Sequence, residues 1–128
     1  MFTEKPVLVV DDDDAIRTLV ERVLRREKFV VESARDGHEA IEKLSRNDYA
    51  TILLDLMMPR VDGLGVLRFL ESERPDVGKA VIVMTANLHG AAEAAKARPA
   101  FTVLPKPFDL EQLIAHVRQC CGAAAAAT

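Results

Sequence analysis

The chain has 128 residues, 49% of them hydrophobic and 29% charged, the proportions of one globular domain large enough for a hydrophobic core and not of a disordered segment. A formal net charge of −3 argues against direct nucleic-acid binding, no apolar run is long enough for membrane insertion, and the N-terminal MFTEKP has no signal-peptide core. The only cysteines, Cys120 and Cys121, are adjacent, which excludes a disulfide framework or zinc site and leaves a cytoplasmic protein as the expectation.

Strand and helix signals then alternate along the chain. Val7–Val10 is an aliphatic run without polar alternation, as in a strand covered on both faces. Ile16, Leu19, Val20, Val23 and Leu24 follow at helical spacing. Phe29–Ser33 reads as a second strand, and Ala40, Ile41 and Leu44 as a short helix entered through Asp36 and Gly37. Thr51–Asp55 (TILLD) is a third buried strand that ends in a carboxylate. After a loop over Pro59–Gly63, Leu64, Leu67 and Leu70 mark a helix whose start holds Gly65, at a cost of roughly 1 kcal/mol against alanine.

Ala80–Thr85 is the fourth strand, Ala91–Ala97 an alanine-rich helix with little to anchor it, and Phe101–Leu104 the fifth strand. Leu110, Leu113, Ile114 and Val117 form a last helix, with Asp109 placed to cap it. The expected domain covers 1–122, and the low-complexity alanine tail, 123–128, is expected to fray. Five strands alternating with five helices predict an α/β domain, a five-stranded parallel sheet with helices on both faces.

In open parallel sheets functional groups collect at the carboxyl ends of the strands. Strand one runs into Asp11 and Asp12, strand three ends in Asp55, strand four in Thr85, and strand five leads into Lys106. Three carboxylates suit a small hard cation such as Mg²⁺, and a lysine with a hydroxyl beside it can hold the other oxygens of a phosphoryl group. Taken singly, each residue has an ordinary reading. Aspartates before a helix cap it, which suits Asp13 and Asp14; Asp55 can be a turn residue, Thr85 a strand residue and Lys106 a solvated charge. Four strand ends agreeing is what those readings do not explain.

The segments VLVVDDDDAIR, LLDLMMPRVDG, VIVMTA and LPKPF, in this order and near these spacings, resemble the response-regulator receiver domain of two-component signalling, the CheY-like family, from Pro6 to about Cys121. The resemblance implies a (βα)5 flavodoxin-like fold and a phosphorylation-dependent switch. It implies that Asp55 is the phosphoacceptor, that Asp12 and Asp55 bind Mg²⁺ directly, that Asp11 helps through water, and that the Met57 backbone carbonyl completes the protein ligands. It gives Thr85 and Lys106 the phosphoryl oxygens and makes the Lys106–Pro107 bond cis. The implied partners are a sensor histidine kinase or phosphotransfer protein and a downstream protein effector. The chain can be a stand-alone regulator or the receiver part of a larger transcription factor or hybrid kinase.

Rival readings are weaker. A phosphatase with an aspartate nucleophile commonly has a second acid two residues later, where this chain has Met57; an unphosphorylated adaptor would lack an acid or the acceptor, and none is missing. His38, His89 and His116 share no ligand spacing and are expected in solvated or edge positions. Of Met57 and Met58 one is expected in the core, and of Cys120 and Cys121 one packed and one exposed. The chain departs from the family at Val103, where an aromatic is common; Phe101 lies two residues earlier, on the same strand face by parity. Since valine is too short and stiff to swing inward, the segment Ala86–Ala97 is expected to carry the conformational output.

Overall fold

A computed structural model describes residues 5–56, 63–74, 80–85 and 102–126. The elements run β1 (Val7–Val10), α1 (Asp14–Arg26), β2 (Val31–Ala34), α2 (Gly37–Arg46), β3 (Thr51–Asp55), α3 (Gly63–Glu73), β4 (Val81–Thr85), β5 (Thr102–Pro105) and α4 (Leu110–Ala126). All strand pairs are parallel, in the order β2-β1-β3-β4-β5.

The unbroken apolar strands follow from a sheet covered on both sides. Leu8, Val10, Ile52, Leu54, Val81 and Val83 point to one face and meet Ala40 and Leu44 of α2 with Val66, Leu67 and Leu70 of α3. Their neighbours Val7, Val9, Leu53, Ile82 and Met84 point to the other and meet Val20 and Leu24 of α1 with Leu113 and Val117 of α4. Side chains alternate across a strand, so two cores need apolar residues at every position. No helix among the described residues is long and apolar enough to cross a membrane.

Aspartates start the helices. Asp13 caps α1, accepting from the N–H groups of Ala15 (3.0 Å) and Ile16 (3.1 Å). Asp36 caps α2 through the Glu39 N–H (2.8 Å), and Asp109 accepts from Glu111 N–H (2.9 Å) at the start of α4. Asp14 lies inside the first turn, where it pairs with Arg17.

Several expectations shift. The second strand is Val31–Ala34, not Phe29–Ser33, because α1 ends in a left-handed turn at Lys28 (φ 71°), and the Phe29 N–H reaches back to the Leu24 carbonyl (3.1 Å). Phe29 thus packs half-buried against the helix-side core, and Val30 faces outward. β4 starts at Val81, after Ala80, and β5 extends to Pro105, where an edge strand tolerates a missing N–H. The tail does not fray at 123: α4 continues to Ala126, since alanine is the best propagator of a helix already nucleated. Both cysteines, not one, are half-buried against the α1–α4 core, and Cys121 Sγ lies 3.4 Å from Thr51 Oγ1. Met57, Met58, the loop over 59–62, His89, the segment 86–97 and Phe101 lie outside the described residues.

Candidate functional site

The sheet order makes β1, β3, β4 and β5 consecutive neighbours, so their carboxyl ends form one edge. Asp11 continues β1 and is fully buried, its N–H still bonded to Ala34 O (3.2 Å) on β2. Asp55 closes β3 at 3% exposure, Thr85 closes β4 and is buried, and Asp12 at the rim is exposed. Lys106 follows β5, and its N–H donates to the Thr85 carbonyl (2.9 Å), which carries the ladder one residue past the strand. The Lys106–Pro107 bond is cis, as the resemblance implies.

The side chains converge. One carboxylate oxygen from each of Asp11, Asp12 and Asp55 lies within 4.8 Å of the others. The Lys106 ammonium sits 3.4 Å from Asp11 Oδ2 and 3.4 Å from Asp55 Oδ2. Asp11 Oδ1 accepts the Asp13 N–H (2.9 Å), which turns the chain sharply from β1 into the cap of α1. Two buried carboxylates are thus bridged by one half-buried ammonium, and the third stands at the opening.

Three carboxylates and one lysine leave a formal charge of −2. Hard oxygens this close, one of them reachable from solvent, are the donor set of a small divalent cation, and the group could hold a metal ion. Beside it, a buried hydroxyl-bearing residue and an ammonium suit the oxygens of a tetrahedral anion.

Five of the expected site residues are therefore brought to one edge, while the Met57 carbonyl lies outside the described residues. Among the described residues the histidines are not brought together: His38 is exposed on α2 and His116 half-buried on α4, and the two helices cover opposite faces of the sheet. Two further residues bear on the site. Arg17 Nη1 donates to the Asp11 carbonyl (2.9 Å) from one turn into α1. Gly63 opens α3 so close to β3 that a Cβ there would lie 2.4 Å from Leu56 Cα and 2.6 Å from Asp55 O. Both stand within the motif segments, but a helix arginine reads as a solvated charge and a loop glycine as a turn.

The family model described as the response regulator receiver domain matches residues 7–118. The chain belongs to that family. It is 42% identical over 113 residues to the response regulator MprA of Mycobacterium sp. (strain KMS), covering 88% of this chain and 48% of that protein. The match to response regulator MprA of Mycobacterium leprae (strain TN) is also 42% identical, over 88% of this chain and 49% of that one. The chain spans about half the length of the curated relatives it matches. Among solved structures, the signal receiver domain of a response regulator from Bermanella marisrubri is 36% identical with a TM-score of 0.80, covering 92% of this chain and 98% of that one. The receiver domain of Francisella response regulator 1452 is 28% identical with a TM-score of 0.82, over 94% and 99%. Receiver domains of this family are phosphorylation-dependent elements of two-component signalling.

Proposed function

We propose that Asp55 is the phosphoacceptor, taking a phosphoryl group from the phosphohistidine of a sensor histidine kinase or phosphotransfer protein. The observation that carries this reading is the buried Asp55 carboxylate 3.4 Å from the Lys106 ammonium, at the edge it shares with Asp11, Asp12 and Thr85. An Asp55 oxygen bonds to phosphorus as the phosphorus–nitrogen bond breaks, and the imidazole leaves with the electron pair and takes up a proton. Lys106 opposes the phosphoryl charge and Thr85 donates a hydrogen bond to one of its oxygens. Hydrolysis reverses the modification: a water oxygen bonds to phosphorus, the Asp55 carboxylate leaves, and the water proton passes to the phosphate.

Asp12 and Asp55 would hold Mg²⁺ directly, Asp11 through water, and the Met57 carbonyl would complete the set. Bound there, Mg²⁺ supplies positive charge against the phosphoryl oxygens. The domain catalyses only its own phosphorylation and dephosphorylation, in the cytoplasm, and its phosphorylated form changes the binding of a downstream protein effector without itself contacting nucleic acid or membrane. The receiver unit takes in 1–122, with 123–128 an alanine tail.

The test is incubation with a small acyl phosphate and MgCl2, followed by intact-mass measurement. The wild type gains one phosphoryl group and Asp55→Asn gains none while staying folded. A phosphorylated Asp55→Asn protein would refute the acceptor, and an unmodified wild type would favour an adaptor.

A further inference from the structure

Asp12 raises a positioning problem. It is the exposed member of the acidic cluster, yet a cation ligand must be aimed. What holds it is backbone on either side. On its C-terminal side the Asp13 N–H is bound by Asp11 Oδ1 (2.9 Å). On its N-terminal side the Asp11 carbonyl receives the Arg17 guanidinium (2.9 Å). The peptide unit joining Asp11 to Asp12 is planar, so a bond on the Asp11 oxygen orients the amide from which Asp12 departs.

The placement of Arg17 is unusual for a merely solvated charge. It is the fourth residue of α1, near the positive end of the helix dipole, where a cation is disfavoured. Its side chain is nonetheless only 12% exposed. It reaches Asp14, which is 82% exposed, and lies 3.9 Å from Glu21 Oε1, so its ion pairs among the described residues are one wet contact and one loose one. The Asp11 carbonyl is its well-made bond to buried structure. The planar guanidinium serves the carbonyl and Asp14 with separate nitrogens, Nη1 and Nη2, which a lysine ammonium cannot reproduce.

We propose that Arg17 is a positioning residue for the divalent-cation site: it sets the Asp11–Asp12 peptide and so aims the Asp12 carboxylate. This rests on the cation reading of Asp11, Asp12 and Asp55. It has a sign that separates it from electrostatics. Deleting a positive charge beside an acidic cluster raises cation affinity if charge is all that matters, whereas losing the peptide's anchor lowers it.

The probe is MnCl2 alone, with free Mn²⁺ followed by electron paramagnetic resonance on the full chain and the folded fraction measured by circular dichroism. Arg17→Met, which keeps the aliphatic stem, is expected to weaken Mn²⁺ binding by about 10- to 100-fold, the usual effect of removing a group that orients a metal ligand. Arg17→Lys should fall between it and wild type, and Glu21→Gln should stay within about threefold of wild type, below the range of an orienting group. Should Arg17→Met fold poorly, Arg17→Lys carries the test, and wild-type or tighter binding by it overturns the proposal. So does unchanged or tighter binding by a folded Arg17→Met while Asp12→Ala loses Mn²⁺. Asp12→Ala binding Mn²⁺ like wild type would instead overturn the cation site itself.

Discussion

Neutralising Asp12 should stabilise the metal-free protein and remove its response to Mg²⁺. Its carboxylate has an oxygen within 4.8 Å of oxygens on Asp11 and Asp55. Two like charges at that distance repel by roughly 0.9 kcal/mol in water and about 3.5 kcal/mol at an effective dielectric of 20. Asp12 is exposed, so the water-like end governs it, and its two pairs amount to about 2 kcal/mol. Lys106, already 3.4 Å from both buried partners, attracts Asp12 as well and offsets part of that. The near-isosteric Asp12→Asn is therefore expected to gain about 1 kcal/mol in EDTA, a shift of about 4 °C in Tm for a domain of this size. A ligand at ten times its Kd adds about 1.4 kcal/mol to the state that binds it, so MgCl2 should raise the wild type to or past the variant. Urea denaturation followed by circular dichroism, in EDTA and in MgCl2, measures both effects. The reasoning fails if Asp12→Asn is no more stable than wild type in EDTA, or if it gains as much as wild type from MgCl2.

Gly63→Ala should destabilise the fold by about 1–3 kcal/mol and slow phosphorylation by a small donor, because the new Cβ meets backbone at 2.4 and 2.6 Å beside Asp55; unchanged stability would show that α3 withdraws freely. Lys28→Gly should add about 0.5–1 kcal/mol by relieving the left-handed φ of 71°, less what glycine gives back in chain entropy, and a loss of stability in urea would contradict this. Tyr49 is the sole tyrosine; burial, then its hydrogen bond to Glu32 (2.8 Å), pushes its phenol above the ordinary tyrosine range. A raised folded-state value means that this contribution is fully present below about pH 10 and lost as pH rises through the raised value. Ultraviolet titration should find the phenol protonated beyond the ordinary range and Glu32→Gln moving it back toward normal; an ordinary titration in the folded protein would refute the contact.

Burial of the strands on both faces made the sheet edge legible in the order of the amino acids. A strand buried on both faces is apolar along its middle, so the first polar residue after VLVV, ILL or VIVM marks its carboxyl end. Asp11, Asp55 and Thr85 stand out in that way. Lys106 was reachable because it follows the fifth strand closely, and in the structure that strand hands its ladder on to the Lys106 N–H, which bonds Thr85 O. Where local backbone chemistry gave no sign, boundaries slipped. A lysine in a left-handed conformation carries none of the glycine or asparagine signal that usually marks a helix end, so the apolar pattern places the start of β2 two residues early. The alanine tail reads as unanchored by the same composition that lets α4 run on to Ala126.

The contacts that support the site were illegible for a further reason: each of them depends on the backbone. Arg17 to the Asp11 carbonyl, the Asp13 N–H to Asp11 Oδ1, and Gly63 against Asp55 O involve main-chain atoms that every residue possesses. A one-letter pattern can name who carries a carboxylate, but the direction in which the carboxylate points is decided by peptide planes and close approaches. Those supports also explain how four successive aspartates can coexist. Asp13 spends its charge on the α1 amides and Asp14 on Arg17, while Asp11 leans on Lys106 and the Asp13 N–H. Asp12 makes no comparable side-chain contact among the described residues. It stands at the opening with its backbone held and its carboxylate exposed, which is the arrangement a reversible cation ligand requires: aimed by its neighbours, and still within reach of solvent.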